Sequence, residues 1–347
     1  MQRFILVFMA FVLSPISMPQ VTRAGFLSPN NFSASSPFVS APGSYTINTT
    51  NVQMTGPSGF LMNGVLSDGI AVFSFTDFFL GAGAGISTTG SRPAGILSRN
   101  DMTIGGNGIR ALAGGGAGGE PQQRGMGPGG GFPGFNFFGG AGGGGGFGGR
   151  GGRGQFSNPT FDFPGAGGPT YGDLYIALQG GSGGGGGKSN INFQSAGGAG
   201  GGALELGANH DMIIAGSGIN ADGLPGVPRD SNHTAGGGGS GGGIRLHAST
   251  IINTALVAAR GGRGGDGVFE NGGGGGGGRI LIQTSPGGLS NLGTISVVGG
   301  TAPSDFFGSG SPGREGVFTV QVPEPISLIN LVAMLALTYL GSRVRHR

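Results

Sequence analysis

Two histidines carry the side chains best suited to proton transfer in this sequence. His210 stands beside Asp211. His247 follows Arg245 and Leu246 on a segment of alternating character, so its ring shares the outward face with Arg245. Either imidazole becomes a general base when a carboxylate or a cation is set against it. The linear sequence puts no such cluster around either one, so a solvated outer face is expected for both.

Three further motifs resemble binding elements. Ser182-Gly183-Gly184-Gly185-Gly186-Gly187-Lys188-Ser189 nearly spells a phosphate-cradling loop after a possible strand, Leu174 to Leu178. Its first glycine is replaced by Ser182 and no helical pattern follows Ser189, so the helix terminus that holds a phosphate is missing. Gly148 to Gly154, with Arg150 and Arg153 between Phe147 and Phe156, has the look of an Arg-Gly RNA-binding segment, but two arginines are few for that work. A solvated loop is expected there and no nucleic-acid partner. Gly261-Gly262-Arg263-Gly264-Gly265-Asp266-Gly267-Val268-Phe269 fits a calcium-binding nonapeptide, in which Asp266 would be the ligand. It occurs once, without the tandem neighbours that complete a calcium shell, so Asp266 is a weak candidate and no metal or cofactor is expected.

Composition narrows the remaining chemistry. Of 347 residues, 87 are Gly and 20 Pro, and Cys and Trp are absent, which excludes a disulfide framework, a zinc cluster and a cysteine nucleophile. The isoelectric point is basic, yet Arg3, Arg23, Arg343, Arg345 and Arg347 all lie at the two ends. Without them, and without Glu324, about 13 basic groups face about 14 acidic ones, so the body is near neutral and makes no argument for a polyanion partner.

The ends themselves are informative. Met1-Gln2-Arg3, the apolar run Phe4 to Leu13, Ser14-Pro15 and the small residues up to Ala24 have the three parts of a secretory signal peptide, with cleavage expected after Ala24. At the other end Val322-Pro323-Glu324-Pro325 precedes an apolar stretch from Ile326 to Gly341 and then Arg343, Arg345, His346 and Arg347. As a helix that stretch reaches about 24 Å, a marginal span whose basic end would stay cytoplasmic.

This ending resembles the PEP-CTERM sorting domain of exopolysaccharide-producing Gram-negative bacteria. There a Pro-Glu-Pro motif, a short hydrophobic helix and an Arg-rich end are read by an exosortase. The matching positions are Pro323, Glu324, Pro325, Arg343, Arg345 and Arg347, within a tail of about 26 residues. Polar residues interrupt the helix and the basic residues are spaced. The resemblance implies an exported precursor held transiently in the inner membrane, processed by an exosortase-type enzyme, and released to a surface or matrix that contains exopolysaccharide.

The body between is a degenerate repeat. Gly blocks ending at 202, 243 and 278 are followed by Ala203-Leu204-Glu205-Leu206, Ile244-Arg245-Leu246-His247 and Arg279-Ile280-Leu281-Ile282. Leu204, Ile244 and Ile280 share one column, and Leu206, Leu246 and Ile282 another. The residue between varies, which is a strand of period two. Each unit continues into a second strand at Ile219-Asn220-Ala221, Leu256-Val257-Ala258 or Ile295-Ser296-Val297. An earlier copy, Asn100 to Ile104 and then Ile109 to Ala111, matches Asn209 to Ile213 and its sequel.

One strand pair cannot bury its apolar face alone, whereas stacked copies bury a continuous core. The expectation is an all-β parallel β-helix-like solenoid, with a signal helix before it and a hydrophobic helix after it; the Gly tracts are expected mostly as flexible loops, the alternative being that glycine lets these segments pack backbone to backbone. Its divisions are a leader over 1–24, β repeats over 25–113, a Gly-rich segment over 114–170, solenoid repeats over 171–321 and a sorting tail over 322–347. The function expected is a non-enzymatic surface or matrix protein. The alternatives are a secreted carbohydrate-active enzyme on the same scaffold and a calcium-dependent adhesin.

Overall fold

Strands form where apolar residues alternate, and the registers of their pairing follow the columns legible in the sequence. The computed structural model describes residues 25–135, 140–155, 163–188, 194–228, 234–267, 270–305, 308–309, 313–314 and 316–321. The leader with Ala24 and the tail with Pro323, Glu324, Pro325 and the terminal arginines lie outside the described residues. Among those described, no helix is long and apolar enough to cross a membrane.

The described chain is nearly all β, with parallel and mixed sheets. Its first strands are β1 (Phe38–Val39), β2 (Gly43–Asn48), β3 (Gln53–Thr55), β4 (Leu61–Asn63), β5 (Val65–Ser67), β6 (Ile70–Phe75), β7 (Phe78–Leu80) and β8 (Ala84–Thr89). They are followed by β9 (Ala94–Ser98), β10 (Met102–Ile104) and β11 (Ile109–Ala111), and then by two short strands, β12 (Gly187–Lys188) and β13 (Gln194–Ser195). Next come β14 (Ala203–Ala208), β15 (Asp211–Ile214), β16 (Ile219–Asn220), β17 (Gly243–His247), β18 (Thr250–Asn253) and β19 (Leu256–Ala258). The last are β20 (Arg279–Gln283), β21 (Leu289–Asn291), β22 (Thr294–Ser296), β23 (Ser304–Asp305), β24 (Gly308–Ser309) and β25 (Val317–Gln321).

Three large sheets take these strands in turn. The first has the order β25-β20-β17-β14-β9-β6-β5, the second β1-β7-β10-β15-β18-β21 and the third β22-β19-β16-β11-β8-β2-β3-β4. The second is parallel throughout, and antiparallel pairs occur in the other two at β5, β3 and β4. Each unit therefore holds three strands, one per sheet, where the sequence reading found two. The omitted one is β18 or β21, whose short apolar stretch lies close to the strand that follows.

The aligned columns are real neighbours. Leu204 pairs with Ile244 and Ile244 with Ile280; Leu206, Leu246 and Ile282 do the same. Met102 lies against Met212, and Ile109 against Ile219. These residues share one buried core with Ile86, Ile251 and Val257. At its N-terminal side Phe38, Tyr45, Phe60, Phe75 and Phe78 pack ring against ring, with centroids 5.0 to 5.6 Å apart. The corner between the second and third sheets needs left-handed backbone at Gly108 and Gly218, and a Cβ on Gly108 would strike the carbonyl of Gly218.

The Gly tracts are not the flexible loops the sequence suggests. They are buried and bonded to one another with a period of three residues. Gly238 and Gly241 donate to Gly273 and Gly276; Gly237 and Ser240 donate to Gly185 and Ser182; Gly239 and Gly242 donate to Leu224 and Ala221. The tract over 236–242 thus has three edges and each edge meets one neighbour. Three residues per turn is the repeat of a polyproline II helix, and none of Gly236 to Gly242 has positive φ.

Such helices have no internal hydrogen bonds, so their donors and acceptors are available to neighbours. Only glycine permits the approach: a Cβ on Gly144 would strike the carbonyl of Gly274, and one on Gly275 the carbonyl of Gly239. The same period explains the prolines. Gly223 and Gly226 donate to one tract and Leu224 and Val227 to another, which leaves Pro225 and Pro228 on the third edge, where a missing N–H costs nothing.

Candidate functional site

The outward column of the first sheet runs Val72, Gly95, Glu205, Arg245, Leu281. The sequence suggests that this face is solvated. Two segments instead cover it. Phe26, Leu27 and Phe32 lie over one part, and Tyr171, Leu174 and Leu178 over another, making a second apolar cluster with Ile70, Val72, Leu97 and Leu281. Leu174 to Leu178 is not a strand: Ile176 and Ala177 both donate to the carbonyl of Asp173, which makes a turn.

Beneath this cover Glu205 and Arg245 form an ion pair of 3.1 Å with side-chain exposures of 0% and 2%. The Leu27 N–H donates to Glu205 Oε1 at 2.5 Å, and Arg245 Nε donates to the Leu174 carbonyl at 2.7 Å. The two covering segments are therefore each tied to one member of the pair. Phe26 lies beside Arg245 and His247, its ring 5.7 Å from the Arg245 guanidinium carbon and 5.0 Å from the His247 ring. A buried carboxylate is tolerated because it is paired and hydrogen-bonded.

His247 extends this network to the surface. Its Nε2 lies 3.3 Å from Glu205 Oε1, without the alignment of a hydrogen bond, and its side chain is 12% exposed. The ring lines a groove of about 330 Å³ with Phe26, Asn209, Ser249, Gln283 and Ser285. Gly207 is opposite His247 in the register, and a Cβ there would strike the imidazole. A histidine beside a carboxylate on a groove wall has the residue chemistry of a proton carrier. Sequence reasoning missed the partner, although Glu205 and Arg245 occupy one aligned column with opposite charges, which was the available signal.

The other predicted positions are dispersed. His210 Nδ1 lies 3.9 Å from Asp101 Oδ1, and both side chains are exposed. Asp266 makes paired contacts of 2.9 Å with Arg263, so its carboxylate already has a cation. Among the described residues no group of three or more acidic or histidine side chains is arranged to hold a metal ion. Arg260 clasps Asp222 through Nε at 3.0 Å and Nη2 at 2.6 Å, and this hydrogen bonding raises its pKa above the ordinary guanidinium value.

The phosphate-loop look-alike is part of the Gly bundle. Ser182 Oγ accepts from the Gly129 N–H at 3.0 Å and donates to the Tyr171 hydroxyl at 2.9 Å. Tyr171 in turn donates to the Gly180 carbonyl at 2.7 Å. Burial pushes the Tyr171 phenol up, against smaller opposing effects from Ser182 and Arg279, and burial lowers the pKa of Arg279. No family model, curated protein or solved structure matches the chain.

Proposed function

We propose that this chain is an exported, non-enzymatic structural protein of a cell surface or extracellular matrix. In this reading the three-strand units coil as a parallel β-helix-like solenoid, and the Gly bundle forms a rigid buttress along one side. The leader directs export with cleavage at Ala24. The PEP-CTERM-like tail holds the precursor in the inner membrane until an exosortase-type enzyme acts near Pro323-Glu324-Pro325, releasing the body into a matrix containing exopolysaccharide.

The observation that carries the reading is the bonding of the Gly tracts. Segments from 114 to 316 donate to one another along three edges, so the most abundant residue of the chain builds an ordered wall. One ion pair, Glu205 with Arg245, is buried and ties covering segments to a sheet. Both features suit a load-bearing element.

The test is to express the chain in hosts with and without an exosortase and to locate its C-terminus by mass spectrometry. Loss of the tail near Pro323 to Pro325 only with the enzyme supports the reading. An intact tail in both hosts sinks it.

One observation favours a second reading, that of a carbohydrate-active enzyme: the His247 groove, with Glu205 behind the imidazole and the hydroxyls of Ser249 and Ser285 on its walls. Polysaccharide cleavage that is present in the native chain and lost in H247A would establish it.

A further inference from the structure

The register that aligns the apolar columns also sets polar side chains in line on the outward face of the first sheet. His247 lies opposite Gly207 on β14 and Gln283 on β20, so an imidazole and a primary amide stand on one face, on strands about 4.8 Å apart. A second polar pair follows just beyond the strand ends. The Ser285 N–H donates to the Ser249 carbonyl at 3.2 Å, and Ser249 Oγ donates to the Asn209 carbonyl at 2.8 Å, which ties three successive units together there.

These residues wall the groove of about 330 Å³, together with Phe26 and Ser28 of the covering segment. The Phe26 ring is half-buried and set 5.0 Å from the His247 ring. Asn209 Nδ2 donates to Asn30 Oδ1 and to the Arg99 carbonyl, both at 2.8 Å, so Oδ1 is the acceptor that this amide keeps for a ligand. Ser249 Oγ has given its proton to Asn209 and offers its lone pairs. Gln283 brings two N–H donors and a carbonyl oxygen. The groove thus mixes donors and acceptors beside one aromatic ring.

We propose that this groove binds a short stretch of a neutral polysaccharide, with one sugar ring against Phe26 and its hydroxyls bonded to Asn209, Ser249, Gln283 and Ser285. A sugar hydroxyl both donates and accepts, which is what walls of mixed amides and hydroxyls answer. The C–H face of a sugar ring suits the negative face of an aromatic one. The volume is at the lower end of the roughly 300–1,000 Å³ of small-molecule sites, so it holds a few atoms' breadth of a chain and not a domain. An extended peptide is the less suited polymer, because β17 and β20 are paired on both sides and cannot accept an added strand. This inference gives the groove a binding role that needs no bond cleavage, and it rests on the matrix reading for the polymeric nature of the ligand.

The experiment is calorimetric titration of the full chain with neutral hexasaccharides of glucose, mannose, galactose and N-acetylglucosamine. The four monosaccharides, polygalacturonate and an uncharged Ser-Gly peptide are the comparators. Two double variants are compared: Q283L/S285A, and Q123L/S290A, which removes the same groups elsewhere on the surface. The native chain and Q123L/S290A are expected to bind at least one hexasaccharide, more tightly than its monosaccharide and with an affinity that salt leaves unchanged. Q283L/S285A is expected to bind it roughly tenfold more weakly at an unchanged melting temperature.

A further variant, F26L, loses the ring and keeps an apolar cover, and is expected to weaken binding as well. Equal binding by Q283L/S285A and Q123L/S290A, native-strength binding by F26L, or no binding of any hexasaccharide by the native chain overturns the proposal. So does a Gln283-dependent preference for polygalacturonate, for the peptide or for a monosaccharide. Tail trimming measured on the same samples reports the sorting reading separately: normal trimming without groove binding overturns the groove alone, and groove binding with an untrimmed tail overturns the sorting alone.

Discussion

Glu205 and Arg245 are forty residues apart in the chain, opposite one another on adjacent parallel strands, and joined by a 3.1 Å ion pair that is almost wholly buried. Glu205 Oε1 and Arg245 Nε reach out of the sheet, to the Leu27 N–H and the Leu174 carbonyl, so the pair fastens two otherwise separate segments to the outward face.

Removing one member should therefore be far worse than removing both. E205L leaves the Arg245 guanidinium buried without its counter-charge and is expected to cost about 3–5 kcal/mol. E205L/R245M, which fills the same column with apolar side chains like Val72 and Leu281, is expected to cost much less than the sum of the two single changes. Urea unfolding of the four species of this cycle measures the coupling. Simple additivity would show that the pair does not hold the covering segments.

A methyl group in the bundle should be felt strongly, because backbone carbonyls of neighbouring tracts stand where it would go. In G144A the new Cβ meets the Gly274 carbonyl, and in G275A it meets the Gly239 carbonyl. Each is expected to destabilise by about 1–3 kcal/mol, the range for overpacking a close-packed interior. Hydrogen exchange should show faster exchange of the neighbouring tracts, and unchanged exchange would mean that the tracts are not packed as described.

Alkaline conditions should loosen the contact between the bundle and its cover at Tyr171. Burial holds the phenol protonated above its ordinary value of 10.0, so folding favours the neutral form. The stability this contributes is complete below about pH 10 and is lost as pH rises through the higher folded value. Y171F should cost about 1 kcal/mol at neutral pH through the lost bonds to Gly180 and Ser182. Above pH 10 its stability should fall less steeply than that of the native chain, which denaturant midpoints across that range would reveal.

Calcium should leave folding unchanged. Asp266, the residue of the nonapeptide-like motif, already faces Arg263 through both carboxylate oxygens. Melting curves with added calcium and with a chelator are expected to superimpose. A calcium-dependent rise would favour the adhesin reading.

The columns of the sheets were legible before any coordinates because strand side chains alternate and the inward positions of each unit hold the same apolar character. Leu204, Ile244 and Ile280 need no tertiary information to be aligned. The opposite charges of Glu205 and Arg245 were visible in that alignment too, but their burial was not. It depends on Phe26 and Leu174, which come from outside the repeating units and carry no periodic mark.

The Gly tracts divide the same way. Sequence alone determined that these stretches lack side chains for a core, and the spacing of Arg150 and Arg153 was open to view. Whether the tracts are ordered was decided only by the tertiary structure. Polyproline II helices make no hydrogen bonds within themselves, so the order of Gly145 depends on Gly238, and that of Gly238 on Gly273. Local sequence encodes the capacity for such close approach, and the fold alone supplies the neighbours.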